Sequence, residues 1–199
     1  MPIARTFRPF VERTPLVQQP SSLNMPLRAP SPRSFVKRAK RIRLIVLDVD
    51  GVLTDGRLYY GPRGESLKVF DVRDGYALRA AEEAGLRVAL ISSRTSGAVS
   101  RRMKDLGIKE IHQGADDKLW VFRSLCRRLR VTPAEVAYMG DDLPDLSVLR
   151  QVGLRLAPAD GAVEVRAIAH WVSHFGGGRG AVREAVETIL RSQGKWGPA

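Results

Sequence analysis

Residues 42–54, Ile42-Arg43-Leu44-Ile45-Val46-Leu47-Asp48-Val49-Asp50-Gly51-Val52-Leu53-Thr54, constrain the chain more than any other stretch. Leu44 to Leu47 is the continuous apolar run that a strand buried on both faces requires, and it ends in two carboxylates two residues apart. Such a strand belongs to a parallel sheet, and ligands bind beyond the carboxyl ends of parallel strands. Asp48 and Asp50 are therefore placed for chemistry, although a lone pair of this kind also serves to cap a loop. Gly51 lets the chain turn with no side chain in the way.

The rest of the chain decides between these readings. Leu58–Tyr60 and Leu67–Phe70 flank a Gly-Pro-Arg-Gly turn and predict a hairpin at about 56–70, inserted between the first strand and the first helix. A free hairpin is marginal in water, so it should pack on the body or on another subunit, with Tyr59 and Tyr60 in that contact. Helices are expected from Asp71 to about Ala84, over Ala98–Leu106 and over Asp116–Arg130, with Lys118 in the first turn of the last of these. Thr132-Pro133-Ala134-Glu135 is a capping box. Strands are expected at Leu86–Ile91, Lys109–His112, Val136–Met139 and Leu154–Leu156, and a last helix at Ala181 to about Arg191. Alternating strands and helices predict an α/β fold: a single doubly wound parallel sheet over residues 41–192, with the short hairpin insert and no large cap domain.

The 44% hydrophobic content of 199 residues suffices for the core of one domain. The net charge of +12 is unevenly spread: residues 1–43 hold ten Lys/Arg and one acid, a net of +9, leaving +3 for residues 44–199. Seven of the twelve prolines also fall in that first segment. Residues 1–40 are therefore expected to be a disordered, basic, Pro-rich extension, and residues 193–199 a C-terminal tail. The extension is open to three readings: a solvated tail, a stretch upstream of a true start near Met25, or a targeting or nucleic-acid-binding arm. No apolar stretch reaches the length of a signal core or a membrane span, so the chain is expected to be soluble and to need no membrane. The single cysteine, Cys126, permits no intramolecular disulfide, fits a reducing, cytoplasmic compartment, and reads as a small core residue.

The first, second and fourth buried strands end in Asp48/Asp50, Ser92 and Asp141/Asp142, and Lys118 can reach the same sheet edge. Acids, one hydroxyl and one lysine are what phosphoryl transfer from a monoester needs. Clustered carboxylates repel unless they share a hard cation such as Mg²⁺, and a lysine with that cation can neutralise phosphoryl oxygens while one acid attacks and another handles the proton.

DVDGVLTD at 48–55, the Ser-ended strand, Lys118 and GDDLPD at 140–145 together resemble the haloacid dehalogenase superfamily of aspartate-dependent phosphatases, in order and spacing over residues 42 to about 157. The resemblance implies that Asp48 is the nucleophile and Asp50 the general acid/base. It also implies that Ser92 and Lys118 hold the phosphoryl group, and that Asp48, the Asp50 carbonyl and Asp141 bind Mg²⁺ with Asp142 and Asp145 in support. A closer resemblance, over most of residues 42–192, rests on VLDVDGVLTDG, LKVFDVRDGYAL, GDDLPD and GGGRGAVREAVE. These segments look like the 3-deoxy-D-manno-octulosonate 8-phosphate phosphatase family of lipopolysaccharide precursor synthesis. That family implies a sugar acid phosphate substrate, a homotetramer joined through the hairpins, and a Gly-rich segment that reaches a neighbouring active site.

Arg73, Arg94 and Arg179, with Gly178 in the Gly-rich run, are candidates for binding the substrate's anionic groups. Ser93 stands where a glycine before the arginine is common in the family, and a side chain there could narrow the loop. His112, His170 and His174 lack metal-ligand spacing and read as structural or surface residues. Three alternatives remain: a nonulosonate 9-phosphate as substrate, a nucleic-acid-binding protein that uses the basic arm, and an open site acting on a phosphoprotein or polynucleotide end. Nucleic acid is the less expected partner because the folded body is nearly charge-balanced.

Overall fold

The computed structural model describes residues 32–62 and 64–197. Among the described residues the strands are β1 (Leu44–Leu47), β2 (Tyr59–Gly61), β3 (Gly64–Leu67), β4 (Arg87–Ile91), β5 (Glu110–His112), β6 (Val136–Met139), β7 (Leu154–Ala157) and β8 (Trp171–Val172). The helices are α1 (Pro32–Ala39), α2 (Val72–Glu83), α3 (Gly97–Asp105), α4 (Lys118–Leu129), α5 (Leu146–Leu149), α6 (Val163–Ile168) and α7 (Ala181–Ser192), with 3₁₀ turns at Pro133–Glu135 and Leu143–Asp145.

Six strands form one parallel sheet in the order β5-β4-β1-β6-β7-β8. β1 lies where the winding reverses, with β4 on one side and β6 on the other, and such a switch point opens a crevice at the carboxyl ends. Register fixes what meets there: Leu47 pairs with Leu90 and with Met139, so the residues just past all three strands share one edge. Ile45 and Leu47 face one apolar layer with α1, α2 and α7, while Leu44 and Val46 face the other with Phe122, Leu125 and Cys126 of α4. This two-sided burial is why β1 reads as unbroken apolar sequence. The Thr132–Glu135 capping box is present as expected.

The structure moves two predicted borders. Residues 32–39, expected to be disordered, form α1, with Phe35 and Ala39 buried in the core. The Phe35 ring lies 6.1 Å from that of Trp171, and Gln193 Nε2 donates to Ala39 O at 2.9 Å and Ile42 O at 2.8 Å. Two anchors four residues apart in an eight-residue helix give too short a period to recognise in sequence. The remainder of the expected extension, residues 1–31, lies outside the described residues. At the other end the expected tail is held as far as Trp196, whose ring meets Tyr76 edge-on at 6.4 Å, and the Arg183 guanidinium stacks over both rings.

The insertion between β1 and α2 is the antiparallel pair β2–β3, its second strand three residues earlier than expected. Leu58, Tyr60, Leu67 and Val69 of this segment are exposed. Among the described residues no helix is long and apolar enough to cross a membrane.

Candidate active site

Asp48 follows β1 directly, and its N–H donates to Met139 O at 3.0 Å, which extends the sheet by one bond and fixes the residue between β1 and β6. Lys118, the first residue of α4, is aimed at it. The helix start is set by Asp117, whose side chain accepts the Trp120 N–H. From there Lys118 Nζ lies 3.0 Å from Asp48 Oδ1 and 2.8 Å from Asp145 Oδ1, all three groups being buried.

Asp145 holds this arrangement together. Besides Lys118 it accepts the Tyr138 hydroxyl at 2.7 Å and the N–H groups of Asp141 and Asp142 at 3.0 and 3.3 Å. Both of its oxygens are so occupied, and 1% of its surface is exposed. Asp142 caps the Leu143–Asp145 turn through the Leu143 N–H and faces solvent.

Asp141 differs. Its Oδ1 is buried without a hydrogen-bond partner. Oxygens of Asp48, Asp141 and Asp145 can lie within 4.8 Å of one another. Burial, then the charges of Asp48 and Asp145, push the Asp141 carboxyl up to about 8. Asp48 is raised to about 6 by burial and by Asp145, against the pull of Lys118. Burial alone would lower the Lys118 pKa, but the two carboxylates outweigh it and raise the value. One lysine among three acids leaves negative charge in excess at Asp141, so the donor set fits a divalent, oxygen-seeking cation. Gly51, at φ 85°, leaves room for it: a Cβ there would stand 2.0 Å from Asp141 Oδ2.

Ser92 follows β4 on the same edge. It is buried, its N–H donates to His112 O at 2.9 Å, and its Oγ accepts the Arg94 N–H at 3.2 Å. Ser93 is exposed, so its side chain does not crowd the loop. Asp50 accepts a short hydrogen bond from Lys68 Nζ, while its Oδ2, 3.5 Å from Arg94 Nε, has no hydrogen-bond partner.

The candidate substrate arginines divide. Arg94 reaches back to the hairpin, with Nη2 at 2.8 Å from Glu65 Oε2. Arg73 is bidentate to Asp71 and donates to Arg179 O at 2.9 Å, so it ties the start of α2 to the Gly-rich loop. Arg179 is exposed, forms no ion pair among the described residues, and lines a cavity of about 400 Å³ with Asp55, Arg57, Ala159, Asp160 and Gly176.

Within its own chain the Gly-rich run lies against the loop after β1. Gly178 N–H donates to Val52 O at 2.9 Å, and a Cβ on Gly177 would stand 1.9 Å from Gly51 O. The run is docked on its own chain's loop after β1, which only residues without side chains can approach so closely.

Three residues that sequence reasoning passed over belong here: Lys68, Glu65 and Tyr138. A lysine inside the apolar Leu67–Phe70 run and a tyrosine inside Val136–Met139 were the available signals. The histidine side chains pair elsewhere: His112 contacts Glu110, His174 pairs with Glu184, and His170 accepts from Arg155 N–H with its pKa lowered to about 4 by burial and the nearby arginines.

A central Asp-Val-Asp strand end, a Ser-ended neighbour, a lysine at a helix start and an acidic loop, all on one edge of a doubly wound sheet, define the haloacid dehalogenase class, and residues 65–153 match the haloacid dehalogenase-like hydrolase family. The chain is 47% identical over 158 residues to the 3-deoxy-D-manno-octulosonate 8-phosphate phosphatase of Salmonella typhi, covering 79% of this chain and 84% of that one. It therefore belongs to the 3-deoxy-D-manno-octulosonate 8-phosphate phosphatase family. The crystal structure of the Yersinia pestis phosphatase superposes with a TM-score of 0.80 at 44% identity, covering 81% of this chain and 88% of that one. The Moraxella catarrhalis phosphatase, solved with magnesium, phosphate and a KDO molecule, superposes with a TM-score of 0.79 at 41% identity, covering 81% and 93%.

Proposed function

We infer that the chain hydrolyses 3-deoxy-D-manno-octulosonate 8-phosphate to the free sugar acid and phosphate in lipopolysaccharide precursor synthesis, with Mg²⁺ as cofactor. The observation that carries this reading is the buried Asp48–Lys118–Asp145 arrangement beside an Asp141 oxygen with no partner of its own. Asp48 attacks phosphorus and becomes an aspartyl-phosphate. Asp50 gives its proton to the leaving sugar oxygen and then takes one from the water that cleaves the intermediate. Lys118 and Ser92 hold the phosphoryl oxygens. Asp48, Asp141 and the Asp50 carbonyl would hold Mg²⁺, which when bound supplies charge neutralisation for the phosphoryl oxygens. Arg179, the exposed guanidinium at the mouth of the cavity, fits the sugar carboxylate.

The exposed apolar hairpin supports a homotetramer in which neighbouring chains narrow an otherwise capless site. The buried free cysteine fits a cytoplasmic protein. Phosphate release from 3-deoxy-D-manno-octulosonate 8-phosphate and from a nonulosonate 9-phosphate, measured with and without Mg²⁺ on wild type and Asp48→Asn, tests the reading. Turnover of the first that disappears in Asp48→Asn supports it. Preference for the second would move the assignment to a sialic-acid-like substrate, and no turnover of either would overturn it.

A further inference from the structure

At the end of the sheet opposite Asp48 the strands begin, and cations gather there. Arg43 precedes β1, Arg87 opens β4, Arg127 and Arg130 close α4, and Lys40 and Arg41 follow α1. Hydrogen bonds draw them into one seam. Arg43 N–H donates to Glu135 O at 2.8 Å, Arg87 N–H to Arg43 O at 3.2 Å, and Arg87 Nη1 to Leu129 O at 3.1 Å, next to Arg130. Of the acids nearby, Glu135 is engaged by Arg43 and by Thr132, and one oxygen of Glu82 accepts the Val88 N–H. Lys40, Arg41 and Arg130 are exposed and have no acidic partner among the described residues.

Arg130 is there at a local cost. It is the one non-glycine of positive φ among the described residues, at 52° in the C-cap of α4. The ends of α2, α3 and α7 use Gly85, Gly107 and Gly194 for that conformation. An arginine at a position where glycine is unstrained points to a use for its charge.

Arginine supplies most of the seam, and a guanidinium pairs with phosphate oxygens in two parallel bonds. The exposed aromatic residues lie elsewhere, on the hairpin, α2, the start of α4 and the Gly-rich loop, so bases have nothing to stack on. Val36 is the one large apolar residue exposed on α1, too little to seat the chain in a lipid surface. In sequence, residues 1–43 carry a net charge of +9 and immediately precede β1.

We propose that this seam docks the phosphate backbone of duplex nucleic acid, without sequence preference, on the face opposite the phosphatase site. The test is fluorescence anisotropy of a labelled mixed-sequence DNA duplex with the full chain, from about 50 to 200 mM salt. Wild type binds with an affinity that falls linearly on logarithmic axes. Lys40→Gln/Arg41→Gln/Arg130→Gly weakens binding and reduces the slope by about 2 to 3, since each lost phosphate contact removes about 0.9. Arg130→Gly alone weakens binding while raising the melting temperature, because glycine relieves the left-handed arginine. Unchanged phosphate release in these variants shows that they fold. No binding at the lowest salt, or a slope unaltered by the triple substitution, overturns the proposal. So does variant-sensitive binding to phosphatidylglycerol vesicles without binding to the duplex, which would make the seam a membrane contact.

Discussion

Lys68 Nζ donates to the Asp50 carboxylate from the arm that leaves the hairpin, so the inserted segment, not the sheet, sets the direction of the candidate acid/base. Glu65 Oε1 lies 3.3 Å from the same ammonium, and Arg94 bridges Glu65 and Asp50 on the other side. Two acids and two bases thus form a balanced group with Lys68 buried at its centre. A hairpin without a core of its own acquires a defined place by closing this group.

Lys68→Met should therefore act on catalysis more than on folding of the sheet. With its main partner gone, Asp50 is left beside Glu65 and one partly exposed arginine. We expect kcat to fall by about tenfold or more with little change in KM, since a positioned proton-transfer group is worth about 10²–10⁴ in rate. Steady-state kinetics with circular dichroism would check this. An unaltered kcat would show that Asp50 is oriented without the hairpin.

Asp145→Asn should cost both stability and activity. The carboxylate accepts from Lys118, Tyr138 and two backbone N–H groups, and an amide turns one of those oxygens into a donor facing donors. Breaking a buried, hydrogen-bonded charge pair costs about 3–5 kcal/mol. Urea unfolding should show a loss in that range, with Lys118 displaced from Asp48 and turnover greatly reduced.

The sequence made β1, β6 and the acidic loop legible because a doubly buried strand is uniformly apolar and its first polar residue marks the edge. Asp48, Ser92 and Asp141 were readable on that basis, since parallel register brings the ends of β1, β4 and β6 to one edge, while Lys118 was readable as the first turn of a helix. Lys68 was not, because its partner Asp50 precedes the hairpin in sequence and the lysine was read as part of the second strand, which ends at Leu67. The pairing of Arg73 with Asp71 and of Arg94 with Glu65 was not legible, because neither acid stands at a spacing that marks it as a partner. The Gly-rich run gave its composition but not its destination: glycine signals both freedom and close approach, and here the close approach to Gly51 and Thr54 decides.

Gly177→Ala tests that docking. The new methyl group would overlap the Gly51 carbonyl, a backbone atom that cannot swing aside, in the loop that carries Asp50. Displacing either segment should lower stability by about 2 kcal/mol or more and reduce kcat as well. Gly97→Ala, where a Cβ meets nothing within 4 Å, serves as the control and should leave both unaltered. Equal behaviour of the two variants would mean that the run is not held against the loop in solution.

The raised carboxyl groups predict how metal and pH act together. Asp48 at about 6, Asp141 at about 8 and Asp74, buried under the start of α7, at about 6 all lie above the ordinary carboxylate value. Between about pH 4 and 8 the metal-free native state therefore holds protons that the unfolded chain has released, and stability falls as pH rises through that window. A divalent cation held by the ionised forms of Asp48 and Asp141 would displace those protons and stabilise the native state most at the alkaline end. Melting temperatures in EDTA should be higher at pH 5 than at pH 8, and Mg²⁺ should narrow or reverse the difference. Asp141→Asn should flatten the EDTA profile and abolish the Mg²⁺ response. Equal melting temperatures at the two pH values in EDTA would show that the acids are not crowded in the way described, and a full Mg²⁺ response in Asp141→Asn would place the cation elsewhere.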